Sequence, residues 1–245
     1  MANTTVIGAL AIHGQNPQFL VETVIRNRIY ESNYWKEHCF ALTAESLIDK
    51  AIEMRYIGGV YGNQRPTQFL CLVLKLLQIQ PEKEILVEYL RADEFKYLRA
   101  LAAFYIRMTF RAVDVYELLE PLLKDYGKLR LRDMSGYSLT YMDEFVYSLL
   151  TEERVCDIIL PRLAKRQVLE ENGDIGPRKS RLLDALEEVS VLPGEKAEGG
   201  VPFGAVERHR MLDPDMCQGV VRDRGLVQDL LSVHAVVASR PTGWK

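Results

Sequence analysis

MRYIGGVYGNQRPTQFLCLVLKLLQIQP, residues 54–81, decides how this chain folds. The Gly58–Gly59 pair reads as the stop of a preceding helix, because glycine takes the backbone angles that close a helix end. Gly62 follows in a tight corner, and Pro66 is placed to open the next helix. From Phe69 to Ile79 that helix is apolar on nearly every side, the pattern of a helix sheathed by others. The spacing therefore predicts an all-α, compact multi-helix domain around a buried central helix. The loop feeding that helix displays Tyr56, Tyr61, Asn63, Gln64 and Arg65, residue types that grip another macromolecule. No catalytic set accompanies them.

Helical spacing extends to both sides. Asn16 before Pro17 is a capping side chain followed by a first-turn proline. Phe19, Leu20, Val24, Ile25 and Ile29 then form an inward stripe to Ser32. A short aromatic turn spans Tyr34–Phe40. Thr43 caps a helix with Leu47, Ile48, Ala51 and Ile52 facing in. Pro81 opens a helix to Ala92, and Glu94–Phe110 carries Phe95, Leu98, Leu101, Ala102, Tyr105 and Ile106 at helical spacing. Asp114 caps Val115–Lys124, which Pro121 divides. At Lys128 the period changes. Leu129 and Leu131 alternate with Lys128, Arg130 and Arg132, then Asp133–Gly136 turns, so a small β-hairpin near residues 128–140 is expected, with one greasy and one basic face. Helices are expected over Met142–Leu150, Glu153–Ile159, Pro161–Glu171 and Arg178–Glu188. Beyond about Ser190 the texture is turn-rich and near-neutral. A helical domain over 1–188 and a flexible tail over 189–245 with at most one marginal helix follow.

Composition excludes more than it assigns. Of 245 residues, 48% are hydrophobic and 27% charged, with a net charge of −3, so no global attraction to nucleic acid or membrane exists. Four cysteines, Cys39, Cys71, Cys156 and Cys217, stand far apart without a CxxC pair, which fits a reducing compartment. Val6–Ile12 lacks a basic leader and a cleavage site and reads as a packing arm rather than a signal peptide. Phe69–Leu77 is too short to cross a bilayer and carries Lys75. His13, His38, His209 and His234 stand at no metal-ligand spacing. His38 beside Cys39 lacks an orienting third group for nucleophilic chemistry. Gly58, Gly59 and Gly62 precede Arg65-Pro66-Thr67 where a P-loop needs Lys-Ser/Thr. The expectation is a non-enzyme with no cofactor and no metal.

Two kinds of surface remain. Lys124, Lys128, Arg130 and Arg132 cluster around the hairpin. Arg162, Lys165 and Arg166, with Arg178, Lys179 and Arg181, form a second group that could converge with the first. Such patches suit RNA phosphates or acidic protein segments. Arg99, Arg107 and Arg111 lie on the helix that bears Tyr97, Tyr105 and Phe110. They form either an exposed hot spot or internal ion pairs to Asp93, Glu94 or Asp114. The candidate contact residues are Tyr61, Asn63, Arg65, Arg99, Arg107, Arg111, Lys128, Arg130 and Arg132.

Five blocks in order, IHGQNPQFLVETVIRNRIYES (12–32), YWKEHCFALTAESLIDKA (34–51), YIGGVYGNQRPTQFLCLVLKLLQIQPEKEI (56–85), FKYLRALAAFYIRMTF (95–110) and YGKLRLRDMSGYSLTYMDEFVYSLL (126–150), resemble the N-terminal domain of the pre-mRNA-splicing factor 38 family. The resemblance runs from about Thr5 to Glu188. It implies a nuclear, non-enzymatic spliceosomal scaffold acting when the tri-snRNP is remodelled for activation. It further implies binding to a microfibrillar-associated splicing protein, a matrin-type zinc-finger splicing protein and tri-snRNP components. Direct RNA binding through the basic clusters is the alternative, and a chain that is monomeric on its own is expected. Many family members continue into a charged or Arg/Ser-rich tail, whereas residues after Glu188 here are turn-rich, near-neutral and lack Arg-Ser repeats, so tail contacts are not carried over.

Overall fold

The computed structural model describes residues 3–178. Its centre is helix α3 (Gln68–Ile79), in which every residue from Phe69 to Gln78 is buried. The Thr67 hydroxyl caps it by accepting from the Leu70 N–H at 3.3 Å, and Gln80 ends it in the left-handed conformation. Helices α1 (Thr23–Glu31), α2 (Ala44–Glu53) and α5 (Lys96–Thr109) pack directly on it. Outside these, α4 (Lys83–Arg91), α6 (Ala112–Leu119) and α7 (Met142–Thr151) pack on α5, and a short α8 (Arg166–Glu171) follows. Phe69 meets Phe104 of α5 at 5.5 Å and Phe145 of α7 at 6.3 Å, both edge-on, which joins three helices through one ring cluster.

The domain is mostly helical but not strictly all-α. The expected hairpin forms as β4 (Lys128–Asp133) and β5 (Gly136–Tyr141). A third strand, β1 (Ile57–Gly58), joins β4 in parallel, with Ile57 opposite Leu131 and Gly58 opposite Arg132. Two further pairs are minimal hairpins: β2 (Val60–Tyr61) with β3 (Arg65–Pro66), and β6 (Arg154–Val155) with β7 (Ile158–Ile159).

Several expected boundaries shift for identifiable reasons. Gly58 and Gly59 do not stop a helix, since α2 already ends at Glu53 and the glycines lie in and beside β1. A Cβ on Gly58 (φ 149°) would lie 2.3 Å from the Arg132 carbonyl oxygen, and one on Gly59 would lie 2.1 Å from the Asp157 carboxylate. Close backbone approach, not helix termination, requires them. Pro66 sits in β3, and Thr67 performs the capping. The Pro17 helix breaks after one 3-10 turn, Pro17–Leu20, and α1 starts anew at Thr23. Arg26 satisfies the break by donating to the Gln18 and Val21 carbonyls, each at 3.2 Å. Phe19 and Val24 are consequently exposed, the former under the Arg26 guanidinium at 4.5 Å.

The 153–159 segment is a hairpin rather than a helix, with Cys156 and Asp157 both at positive φ. Of the expected Pro161–Glu171 helix only Arg166–Glu171 is helical. Asp114 lies inside the first turn of α6 and pairs with Lys83 instead of capping. After α6 ends at Leu119 the chain forms a 3-10 turn, Glu120–Lys124, that contains Pro121, as the division there anticipates. The Val6–Ile12 arm is held by polar bonds, because Val6, Ile7 and Leu10 are exposed. The Gln80 side-chain amide accepts from the Leu10 N–H and donates to the Leu10 carbonyl, each at 2.8 Å, as a neighbouring strand would. Apart from its first residue, Arg178, the expected helix over 178–188 lies outside the described residues, as do the boundary near 188 and the tail.

Candidate interaction surface

Register decides what the small sheet shows to solvent. In an antiparallel pair, residues directly opposite share a face. Lys128 faces Tyr141, Arg130 faces Leu139 and Arg132 faces Tyr137. One face therefore carries three cations interleaved with two tyrosines and a leucine. Leu129 and Leu131 point the other way, and Leu129 is fully buried. Tyr137 and Leu139 remain 56% and 61% exposed. The basic face is thus also an aromatic and apolar face.

Its centre is Arg132. The guanidinium lies 4.2 Å from the Tyr137 ring centroid and 5.0 Å from that of Tyr61. Arg130 approaches the same Tyr137 ring at 5.5 Å. Tyr56 meets Tyr137 edge-on at 5.6 Å. Burial, ahead of the neighbouring Tyr61 and Tyr137, raises the Tyr56 hydroxyl pKa, so it stays a neutral donor at physiological pH. Stacked arginines lose less freedom when a carboxylate binds, because their planar fork is already oriented.

The Gly58–Thr67 loop fixes Tyr61 against this cluster. The Thr67 hydroxyl donates to the Gly58 carbonyl at 2.7 Å, while its backbone N–H donates to that of Gly59 at 3.1 Å. The Asp157 carboxylate accepts from the Val60 N–H at 2.8 Å. That bond holds the positive-φ tip of the β6–β7 hairpin against the loop. Between them and the β4–β5 turn lies a cleft of about 490 Å³, flanked by Arg132, Met134, Arg154 and Asp157. Asn63 and Arg65 stand exposed on the β2–β3 hairpin.

The α5 arginines do not join this surface. Arg99 donates to the Leu90 carbonyl at 2.9 Å and pairs with Asp125 at 2.6 Å and Asp93 at 3.2 Å. Arg107 is only 4% exposed and donates to the Leu149 carbonyl at 2.7 Å, tying α5 to the end of α7. Burial lowers its pKa. Arg111 alone projects outward, 3.5 Å from Asp114. Of the two readings open for these arginines, internal pairing holds for Arg99, which reaches Asp93. Arg107 is an internal tie to a carbonyl, whereas Arg111 lies beyond α5 at the N-cap of α6 and points outward. Arg166 is likewise engaged, by Glu120 and Glu170, and Lys179 and Arg181 lie outside the described residues. Tyr137, Leu139 and Tyr141 are the residues of this face that sequence reasoning left out. Their alternation in GYSLTY was visible, but assigning them to the basic face requires the turn that sets the register.

Fold and surface together define a mostly helical domain with a small sheet whose outer face is built of arginine and tyrosine. The chain belongs to the PRP38 family, whose sequence profile matches residues 10–173. It is 57% identical over 200 residues to pre-mRNA-splicing factor 38 of Drosophila melanogaster, covering 81% of this chain and 61% of that protein. Pre-mRNA-splicing factor 38A of Homo sapiens is 57% identical over 191 residues, with 77% and 61% covered. The chain thus spans less than two thirds of these relatives' length. A solved chain in the Snu23-Prp38-MFAP1(217-258) complex of Chaetomium thermophilum matches with a TM-score of 0.69 at 48% identity, over 75% of this chain and 98% of that one.

Proposed function

We propose that this chain acts in pre-mRNA splicing as a non-enzymatic scaffold that binds other splicing proteins in the nucleus and supports spliceosome assembly and activation. Its interacting unit is the domain through residue 188, monomeric on its own. Membership of the PRP38 family and the Chaetomium relative's complex with Snu23 and an MFAP1 fragment support this reading. The observation that carries it is the outward Arg130–Arg132–Tyr137 face, a pre-stacked arginine–tyrosine set of the kind that concentrates binding energy. The proposed contact residues are Tyr61, Asn63, Arg65, Lys128, Arg130 and Arg132, joined by Tyr137, with Arg111 at a distance along the chain. Partners are a microfibrillar-associated splicing protein, a matrin-type zinc-finger splicing protein and tri-snRNP components.

Calorimetric titration with an MFAP1 segment matching the 217–258 fragment tests this. Arg130→Glu with Arg132→Glu should weaken binding about tenfold or more, because each reversed charge both removes and repels. Unchanged affinity would sink the assigned face. A second reading, RNA, is favoured by Tyr137 standing exposed between two arginines, a stacking platform beside phosphate-binding charge. Titration of a single-stranded RNA oligonucleotide at low and high salt separates the two. Affinity falling steeply with salt supports RNA, and no binding at low salt dismisses it.

A further inference from the structure

Lys75 is the residue that the burial of α3 does not explain. It is 5% exposed and lies one turn from the C-terminal end of the most apolar helix in the domain. Its ammonium donates to the Gln78 side-chain oxygen at 2.9 Å and to the Phe40 carbonyl at 3.2 Å, and stands 5.8 Å from the Trp35 ring centroid. All three neighbours are neutral. Among the described residues no carboxylate pairs with it. Burial lowers its pKa, the direction expected of a cation lacking a counter-charge. A methionine at this position would fill similar space without the cost of desolvating a charge.

The surroundings say what the charge is for. Lys75 lines a cavity of about 380 Å³ with Val6, Phe40, Leu42 and Ile79 around it. Val6 and Phe40 are exposed, so the rim is apolar and open. One wall is pinned in place: the Val6 N–H donates to the Gln78 carbonyl at 3.1 Å, and the Gln78 side chain donates to the Thr4 carbonyl at 2.8 Å. An ammonium has three N–H donors, and two are engaged within the domain.

We propose that this pocket receives an aspartate or glutamate side chain of a partner protein, seated between apolar neighbours of the same segment. The remaining N–H suits one carboxylate oxygen, whereas a free phosphate needs several donors together. The apolar rim also requires more than a small anion to cover it. The pocket is formed by different residues from the arginine–tyrosine face, and the proposal stands without the splicing reading.

Selection of a displayed random heptapeptide library on the full chain is the first arm. Enriched sequences should carry an acidic residue flanked by apolar ones. The synthetic form of such a peptide should bind Lys75→Met at least tenfold more weakly, the loss of one charge-assisted hydrogen bond. Lys75→Met leaves the Phe40 carbonyl and the Gln78 side-chain oxygen without this donor, so an unchanged far-ultraviolet circular dichroism spectrum is the check that the variant still folds. The second arm needs no variant. In a chain labelled at the lysine Cε carbons, the peptide should shift the Lys75 resonance and raise its pKa, and the same peptide with Gln for the acidic residue should not. Enrichment without an acidic position, equal binding by Lys75→Met, or no enrichment at all overturns the proposal. So does a Lys75 that titrates at or above the ordinary lysine range before peptide is added, since the chain's own carboxylate then occupies the pocket.

Discussion

Two pairs of arginines separate the functions that one residue type serves in this domain. On α5, Arg99 and Arg107 turn inward onto the Leu90 and Leu149 carbonyls, and Arg99 adds Asp125. On β4, Arg130 and Arg132 turn outward and lie against the tyrosine rings. The difference comes from the acceptors at hand. Carbonyls left unpaired at helix ends take up the α5 guanidinium groups, since the last C=O groups of a helix lack internal partners. A strand pairs its own backbone with its neighbours, so the β4 side chains meet only what their register places beside them. Arginines that tie helices together support stability. Arginines stacked on exposed rings are available to a partner.

The most damaging way to break this contrast is to unseat the sheet. Gly58→Val places a side chain 2.3 Å from the Arg132 carbonyl at a φ of 149°, and thermal denaturation should show a loss of about 4 kcal/mol or more. A midpoint near the original would mean that β1 does not nest against β4. Arg107→Met tests the inward pair. It leaves the Leu149 carbonyl without its donor and should cost about 2–3 kcal/mol in urea unfolding, with little effect on partner affinity. The outward pair should behave in the opposite way. Arg130→Glu with Arg132→Glu should change stability by less than about 1 kcal/mol, because the exposed stacking contacts are worth little to the fold, while partner binding falls.

The smallest effect concerns pH. Asp114 accepts from Lys83, and that bond, ahead of the opposing desolvation, lowers its pKa. A carboxylate with a depressed folded pKa contributes stability above its unfolded value of about 3.9, lost as the pH falls through the folded value. Lys83→Met should therefore be less stable than the original by about 0.5 kcal/mol at pH 7, a gap that closes toward pH 2 in acid titrations of thermal stability. A gap independent of pH would assign Lys83 to packing instead, against the Phe110 ring 5.9 Å away.

Particular residues show how far the sequence could be read. Helix α3 was legible because a stretch apolar on every side has one physical solution, complete enclosure. The β4–β5 hairpin was legible from alternation across a turn. The β6–β7 hairpin was not. Its Val155–Ile159 run is too short for periodicity, and its tip is Cys156-Asp157 rather than the Asn-Gly type that signals such turns. Asp157 is held there by the Val60 N–H, a contact 97 residues away in the chain. Strand β1 was hidden for the same reason. Two residues carry no pattern, and only their pairing with Leu131 and Arg132 makes them a strand.

By itself, the sequence determined a buried central helix, its neighbouring helices, a basic hairpin and a Tyr- and Arg-bearing loop leading into α3. These rest on local periodicity and on side chains that cap or turn the adjoining backbone. Tertiary structure alone decided that the glycines before α3 serve close strand packing. It also decided that the α5 arginines are internal, and that Tyr56, Tyr61 and Tyr137 gather around Arg132. It placed Lys75 in a pocket with no carboxylate paired to it among the described residues. Each of these depends on which distant backbone carbonyl, carboxylate or ring arrives beside a residue, and that is a property of the packed chain rather than of its spacing.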